Sequence, residues 1–327
     1  LPEPAVMESK SDQHSDDGAL LKSQTTPISP VSTTASLKRV GCQSRPMPTS
    51  ISFEGCGAAI SYHLGVIESL YQTYGQEALS KSNMKFMGTS SGSIAALVVA
   101  LGLDVAKWKD RMFTAWEPMG FFFQADRYVG NIISEILQEA GEDAFNRLDD
   151  RLYISITKFF NRNVVKSKWD SNSDVKRFVL ASCFIPVVML RPMWVGHCFA
   201  VDGGFSNNYP RLEGKQTVLV SPSRSAGSEI KPELKLRFRD LIGSPKKDRF
   251  YELWTVGIEN GLDYFQPAAE HRLRVGADAP QPVQTACGRC YFWAMRQPCC
   301  MCTRLFLFWI ILFTQVFLTA GLRQLES

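Results

Sequence analysis

The sequence predicts an α/β sandwich whose sheet contains at least one parallel region. Short apolar segments alternate with stretches of helical periodicity through the middle of the 327-residue chain, and this alternation is typical of α/β folds. Two of the predicted strands are followed at once by a glycine-bearing turn and then a helix. With 45% hydrophobic residues, the chain is long enough and apolar enough to bury a substantial core.

The predicted elements lie between residues 49 and 265. Strands are expected where apolar and polar residues alternate or where short apolar runs end in a turn, and helices where apolar residues recur every three or four positions. The predicted strands are 49–53, 85–87, 152–158, 164–167, 199–201 and 217–220. The predicted helices are 57–70, one that begins near Ser91, 104–116, 129–140, one with its cap at Ser173 that ends at Ser182, and 250–265.

Composition and charge exclude some classes of function. The formal net charge of +4 is small and dispersed, so we expect no nucleic-acid partner. The nine cysteines are an odd number without the spacing of a small secreted domain, which argues against a disulfide framework. The sequence therefore favours a reducing, cytosol-facing compartment for the main domain.

The central motif is Gly88-Thr89-Ser90-Ser91-Gly92, which follows a short apolar run and precedes a helix-forming stretch. It matches the G-x-S-x-G pattern, in which a serine nucleophile lies on a sharp strand-to-helix turn. The glycines on either side of Ser90 let the strand and the helix approach each other closely. The helix start also directs free amides and its positive dipole end toward an oxyanion beside Ser90. The alternative is an ordinary glycine-serine turn.

A second glycine-bearing turn, Gly55-Cys56-Gly57, joins the first predicted strand to its helix. Such a turn exposes consecutive backbone amides at a helix start, an arrangement that binds phosphates and oxyanions. Taken alone, the same pattern also fits a tight strand-to-helix turn that binds nothing.

A serine nucleophile needs a base to accept its proton, and the histidines are the first candidates. The sequence contains four of them: His14, His63, His197 and His271. His14 lies in the polar N-terminal segment, and we expect packing or loop-orienting roles for His63 and His197. His271 lies in a charged stretch and is the histidine that would fit a Ser…Asp…His order.

Asp202 is a better candidate for the base than any histidine. It ends a short strand and is followed by Gly203 and Gly204, so its carboxylate projects at a tight turn. An aspartate is ordinarily deprotonated at neutral pH, and it could accept the Ser90 proton directly if the two turns meet at one end of the sheet. The alternative for an Asp-Gly-Gly sequence is an Asx turn.

Taken together and in this order, the three glycine-bearing turns resemble the patatin-like phospholipases, a family of lipid acyl hydrolases that use a Ser-Asp dyad. Residues 181–186 (Ala-Ser-Cys-Phe-Ile-Pro) and 201–210 (Val-Asp-Gly-Gly-Phe-Ser-Asn-Asn-Tyr-Pro) are similar to the family's segment that leads to its aspartate. The adiponutrin-type branch is the most similar, since its first loop also carries Gly-Cys-Gly. The resemblance covers about residues 50–220.

The resemblance implies a three-layer α/β/α fold and the hydrolysis of glycerolipid or phospholipid esters. It implies that Ser90 is the nucleophile, that Asp202 is its proton acceptor, and that Gly55, Cys56 and Gly57 supply oxyanion amides. It implies neither a metal nor a cofactor, because protein groups supply both the proton transfer and the oxyanion stabilisation.

One departure from the family's pattern leaves an alternative open. The first loop usually continues with a large or basic residue and then glycine, whereas this chain has Ala58-Ala59-Ile60. If that position needs backbone angles that only glycine adopts, Ile60 would misplace the loop and the protein would be a catalytically impaired lipid-binding or scaffold protein. A Ser-His-Asp hydrolase with His271 as base is the third hypothesis.

Residues 305–322 form an almost uninterrupted apolar run between Arg304 and Arg323. As a helix this run would be about 27 Å long, enough to cross a hydrocarbon core. We expect 304–323 to span or anchor in a membrane, with a buried core helix as the alternative. The excess of arginine before the run places the main domain on the cytoplasmic side. The expected partner is therefore a membrane or lipid-droplet surface.

The chain accordingly divides into four segments. They are a disordered tail rich in Ser, Thr and Pro (1–48), a patatin-like catalytic domain (49–220), an extension with a cysteine-rich linker (221–303), and the membrane-associated helix (304–323). The cysteines between 287 and 302 leave three interpretations open: thioacylation, zinc binding, or unmodified thiols at a membrane edge.

Overall fold

The computed structural model describes residues 44–116, 125–158, 162–186, 189, 192–214, 216–233, 236, 240 and 246–267. Within them, seven strands form one mixed sheet. The strands are β1 (Ser50–Phe53), β2 (Lys85–Thr89), β3 (Leu152–Lys158), β4 (Arg162–Lys166), β5 (Met193–Val195), β6 (Cys198–Asp202) and β7 (Thr217–Val220). The predicted α/β class with a parallel region is confirmed, and the arrangement in three layers stays a prediction.

Four neighbouring strands, in the order β7, β1, β2 and β3, run parallel. Strand β1 lies between β7 and β2, and all four of its residues are buried, as expected for a strand covered on both faces. The carboxyl ends of parallel strands lie at one edge of a sheet. The turns that follow Phe53 and Thr89 therefore open at the same edge, which brings the two glycine motifs together.

Strands β2 and β6 meet end to end along β3. Strand β2 pairs parallel with β3 and ends where Thr89 pairs with Ser155. Strand β6 is antiparallel to β3 and ends where Asp202 pairs with Ile156. Strand β4 occupies the other edge of β3 over this stretch, so β2 and β6 share one edge. The last residues of β2 and β6 thus pair with two consecutive residues of β3.

Eight α-helices connect and flank these strands in the described part of the chain. They are α1 (Ile60–Tyr74), α2 (Gln76–Lys81), α3 (Ser91–Ala100), α4 (Val105–Trp116), α5 (Ala125–Ala140), α6 (Ala144–Leu148), α7 (Asn172–Cys183) and α8 (Lys247–Phe265). Helix α3 packs on β1, β2 and β3, and α7 packs on β3, β5 and β6. The main predicted helices are confirmed to within a few residues at their ends.

The cap predicted for α7 is two residues too late. The helix begins at Asn172, and the Ser171 side chain accepts a hydrogen bond from the Asp174 amide at 3.1 Å. Ser171 is extended, as an N-cap residue should be, and its hydroxyl satisfies one of the free amides of the first turn. Ser173 is therefore inside the helix rather than its cap.

Helix α8 packs directly on α1, so the core of the domain includes residues beyond 220. A Cβ atom on Gly65 would collide with the carbonyl of Trp254, and one on Gly257 would collide with the carbonyl of Tyr62. Backbones that approach this closely leave no space for a side chain between them. The division of the chain into four segments stays a prediction.

The expected C-terminal anchor lies outside the described residues, as do the cysteines between 287 and 302 and the N-terminal segment 1–43. No helix in the described residues combines the length and the apolar character needed to cross a bilayer.

Candidate active site

Ser90 lies on the turn between β2 and α3, and its backbone has a conformation that residues other than glycine rarely adopt. Its φ is 55° and its ψ is −133°, a sparsely populated combination for a residue with a Cβ atom. The turn is compact because Gly88 and Gly92 have no side chains: a Cβ on Gly88 would collide with the Gly92 carbonyl, and one on Gly92 with the Phe53 carbonyl. This strained strand-to-helix turn has the geometry that the sequence predicts for a nucleophile elbow.

The strained backbone of Ser90 is held by Ser182, a residue for which the sequence pattern predicts no role at the site. The Ser90 amide donates to the Ser182 hydroxyl at 2.8 Å, and that hydroxyl donates to the Ser155 carbonyl at 2.7 Å. Ser182 is fully buried on α7. Ninety-two residues separate it from Ser90, so no local spacing could have indicated the contact.

Asp202 ends β6 beside the elbow, because the C-terminal ends of β2 and β6 meet along β3. Its side chain is 5% exposed. Its Oδ1 accepts a hydrogen bond from the Gly204 amide at 2.7 Å, and the Ser90 side chain lies close enough to the carboxylate to lower the pKa of Asp202. The structure thus brings together the predicted nucleophile and the predicted base.

Burial gives Asp202 a pKa that suits proton transfer near neutral pH. Removal from water raises the pKa of the carboxyl to about 7, against the opposing effect of the hydrogen bonds from Ser90 and Gly204. A base whose pKa lies near the working pH can both accept and release a proton readily. The following Gly203 lies against the Ser155 backbone with no space for a Cβ, which fixes the turn.

The predicted oxyanion residues lie in a loop that contacts Ser90 directly. We call residues 54–59 the glycine loop. A Cβ on Gly55 would lie 2.9 Å from the Ser90 Cβ, so Gly55 lies directly against the Ser90 side chain. Gly57 has a φ of 55°, a left-handed conformation that favours glycine.

The departure at Ala58-Ala59-Ile60 does not distort this loop. Ile60 has a φ of −53° and a ψ of −29°, ordinary right-handed helical angles that any residue adopts. Its side chain is fully buried in the core. The position that requires a left-handed backbone is Gly57, and this chain retains the glycine there.

The three predicted oxyanion amides differ in their availability. The Gly55 amide donates to Asn208 Oδ1 at 3.1 Å, and the Cys56 amide donates to Ser91 Oγ at 3.0 Å. Gly57 begins a short 3₁₀-helix, Gly57–Ala59, so its amide has no acceptor within that helix. Of the three amides, that of Gly57 is the one with no acceptor among the described residues, so it is available to a substrate oxyanion.

Neither histidine in the described residues is arranged as a base. His63 is fully buried, its Nε2 donates to the Glu54 carbonyl at 2.7 Å, and burial lowers its pKa to about 4. His197 is exposed in the turn between β5 and β6. His14 and His271 lie outside the described residues. The described part of the chain also holds no group of three or more His, Cys, Asp or Glu side chains that could bind a metal ion.

This geometry can be set beside known proteins. The family model of patatin-like phospholipase matches residues 51–213, a stretch that contains the glycine loop, the elbow and the Asp202 turn. The chain belongs to the patatin-like phospholipase family. The strained Ser90 and the buried Asp202 thus lie within the part of the chain that carries the family's pattern.

Curated relatives of this patatin-like chain include an acyltransferase and a transacylase. Mouse 1-acylglycerol-3-phosphate O-acyltransferase Pnpla3 is 30% identical over 53% of this chain and 43% of its own length. Mouse patatin-like phospholipase domain-containing protein 2 is 30% identical over 56% of this chain and 39% of its own. Mouse omega-hydroxyceramide transacylase is 26% identical over 53% and 30%. The chain therefore spans less than half the length of these relatives.

Proposed function

We propose that the protein is a lipid acyl hydrolase that cleaves fatty-acyl esters of phospholipids or acylglycerols with a Ser90–Asp202 dyad. The observation that carries the proposal is the placement of a serine with a strained backbone beside a buried carboxylate, at the junction of β2 and β6. Membership of the patatin-like family supports the lipid acyl class of substrate.

In the first half of the reaction, Ser90 Oγ attacks the ester carbonyl carbon while Asp202 accepts the hydroxyl proton. The carbonyl oxygen becomes an oxyanion, which the Gly57 amide and the start of α3 stabilise. The tetrahedral intermediate then expels the alcohol, which takes the proton from Asp202. The products are an acyl-enzyme on Ser90 and a lysophospholipid or a partial glyceride.

In the second half, water attacks the acyl-enzyme and gives its proton to Asp202. The proton returns to Ser90 Oγ when the fatty acid leaves, so the enzyme is regenerated. If an alcohol of a second lipid attacks in place of water, the same steps transfer the acyl group. We keep this transacylase reaction as the second candidate, because relatives of this chain carry acyltransferase and transacylase names.

The dyad is tested by labelling with a fluorophosphonate probe and by lipidomics of the products formed on mixed lipid vesicles. Wild type should be labelled and should release fatty acids, Ser90→Ala should do neither, and Asp202→Asn should be severely slowed. The matched control is His271→Ala, which should keep both activities. Equal labelling of Ser90→Ala, or loss of turnover in His271→Ala alone, would contradict the proposal. A second lipid that gains an acyl chain would identify the transfer reaction.

We also propose that the domain acts on a membrane or lipid-droplet surface, because its ester substrates reside there. The excess of arginine before the apolar run supports the cytoplasmic side of that surface. The apolar run 305–322 supports attachment at that surface. Flotation with neutral phospholipid vesicles tests this: the full chain should float, and a chain without 304–323 should float less while keeping its fluorophosphonate labelling. Equal flotation of the two would remove the proposed role of the run.

A further inference from the structure

We propose that Glu54 and Asn208 are positioning residues that hold the glycine loop against Ser90. This role rests on the proposed hydrolase function, and it concerns side chains that the dyad itself does not use. The pair lies beside the site, where Glu54 directly precedes Gly55 and Asn208 follows Asp202 by six positions.

The backbone of Glu54 is tied on both sides. Its amide donates to the Val220 carbonyl at 3.1 Å, which extends the pairing of β1 with β7. Its carbonyl accepts the hydrogen bond from His63 Nε2 at 2.7 Å. The residue is 3% exposed. The glycine loop therefore starts from a fixed point in the core.

The Glu54 carboxylate is surrounded by neutral donors. Ser223 Oγ donates to its two oxygens at 2.7 and 2.8 Å, and Ser225 Oγ donates at 2.6 Å. Ser221 Oγ, Asn208 Nδ2 and the Ser223 amide donate as well. Burying a charge is costly unless hydrogen bonds replace its water. Here three serines of one turn and one asparagine supply the hydrogen bonds that water would otherwise make to the Glu54 carboxylate.

A carboxylate only accepts hydrogen bonds, so it dictates how the Asn208 amide is oriented. Asn208 Nδ2 faces Glu54 Oε1 at 3.1 Å, and Oδ1 accordingly faces the Gly55 amide at 3.1 Å. The reverse orientation would set oxygen against oxygen and N–H against N–H. Glu54 thus makes Asn208 an acceptor for the glycine loop.

This one bridge connects the two halves of the proposed site. Asn208 belongs to the turn that begins at Asp202, and Gly55 contacts Ser90. Without the Asn208 acceptor, the Gly55 amide loses its partner and the loop loses its link to the base's turn. A displacement of about 1 Å in a positioning group can cost on the order of 10²-fold in rate, so loss of the bridge should lower kcat more than it changes KM.

The test compares Asn208→Ala with Asn207→Ala. Asn207 is the matched control: its carbonyl accepts from Thr89 and Ser155, which alanine preserves, while its side chain reaches Asn163 at 3.4 Å. We expect Asn208→Ala to lower kcat about 10- to 100-fold with KM within threefold and an unchanged pH midpoint, and Asn207→Ala to stay within threefold of wild type. These magnitudes follow the cost of misplacing an oxyanion donor.

A double-mutant cycle shows whether Glu54 acts through Asn208. Glu54→Gln should lower kcat in the wild-type background and have little further effect in Asn208→Ala, because residues in one network are not additive. Hydrogen exchange of the peptide that covers 54–60 supplies a readout that needs no turnover: it should quicken in Asn208→Ala and not in Asn207→Ala.

Three outcomes would overturn the positioning role: wild-type kcat in Asn208→Ala, equal losses in Asn207→Ala and Asn208→Ala, or unchanged hydrogen exchange of 54–60. Additive effects on kcat in the double-mutant cycle would show that Glu54 does not act through Asn208. Failure of the dyad itself is recognised separately, because Ser90→Ala would then keep wild-type turnover.

Discussion

Ser90 and Asp202 meet because the strands that carry them end against consecutive residues of β3. Thr89, the residue before Ser90, pairs with Ser155, and Asp202 pairs with Ile156. The placement of the Ser90 turn beside the Asp202 carboxylate is therefore a property of the sheet register rather than of a loop. A one-residue slip of either strand would turn its side chains to the other face of the sheet.

The pH dependence of the reaction should follow Asp202. Its pKa is raised to about 7 by burial, and only the ionised carboxylate accepts the Ser90 proton. We expect kcat/KM to rise with pH through a midpoint near 7 and then to level off. The measurement is the rate on a soluble short-chain ester between pH 5 and pH 9. A plateau already reached at pH 5 would show that Asp202 is not the titrating base.

The free energy of unfolding should also depend on the ionisation of Asp202. It should fall as pH rises, whereas kcat/KM should rise. The native state binds the Asp202 proton more tightly than the unfolded chain, whose aspartates titrate near 3.8. The resulting stabilisation is fully present below that value and is lost as pH rises through about 7. Asp202→Asn cannot ionise, so it should exceed wild type in free energy of unfolding at pH 8 by as much as about 4 kcal/mol.

Urea denaturation of wild type and Asp202→Asn at pH 4 and pH 8 provides the measurement. The two proteins should be close in stability at the lower pH and differ at the higher one. The same difference at both pH values would mean that the substitution acts through packing and not through ionisation.

Ile60→Gly should destabilise the protein and should not raise its activity. Ile60 is fully buried and has helical backbone angles, so glycine leaves a cavity and gains no needed conformation. We expect a loss of about 3–5 kcal/mol in the free energy of unfolding, in line with large-to-small core substitutions. Calorimetry and kcat of the folded fraction check this, with Ile60→Val as a mild control. A several-fold increase in kcat would restore the impaired-loop hypothesis.

Ser182→Ala should slow catalysis by loosening the elbow. The Ser182 hydroxyl accepts a hydrogen bond from the Ser90 amide at 2.8 Å, and without it a partly buried N–H loses its partner, at a cost of up to about 1–3 kcal/mol. We expect kcat to fall about 10-fold, on the scale of 1.4 kcal/mol per decade, while KM changes little.

The matched control for Ser182→Ala is Ser61→Ala. Ser61 is another fully buried serine, and its hydroxyl has no hydrogen-bond partner among the described residues. Its removal should leave kcat unchanged. Equal kcat losses in the two variants would point to general loosening of the core.

Local pattern predicted most of the fold because short apolar runs and helical periodicity report burial directly. The strand predicted at 152–158 has those bounds in the structure, and so does the strand at 217–220. The prediction erred at the α7 cap, because serines occur at both 171 and 173 and only the backbone angles decide between them. Of the site, Ser90, Asp202 and the glycine loop were predicted from glycine spacing. Ser182, Asn208 and Glu54 were not, since their partners are distant in sequence or belong to separate turns.

Local sequence patterns are enough to set where the strained turns form and which serine and aspartate lie at the ends of their strands, because glycine and apolar patterns act over a few neighbouring residues. Three other properties depend on tertiary packing: the raised pKa of Asp202, the Gly57 amide that has no acceptor among the described residues, and the ordinary helical backbone of Ile60. Each depends on which acceptors, donors and core atoms are brought beside it from segments far along the chain, and that follows from packing and register.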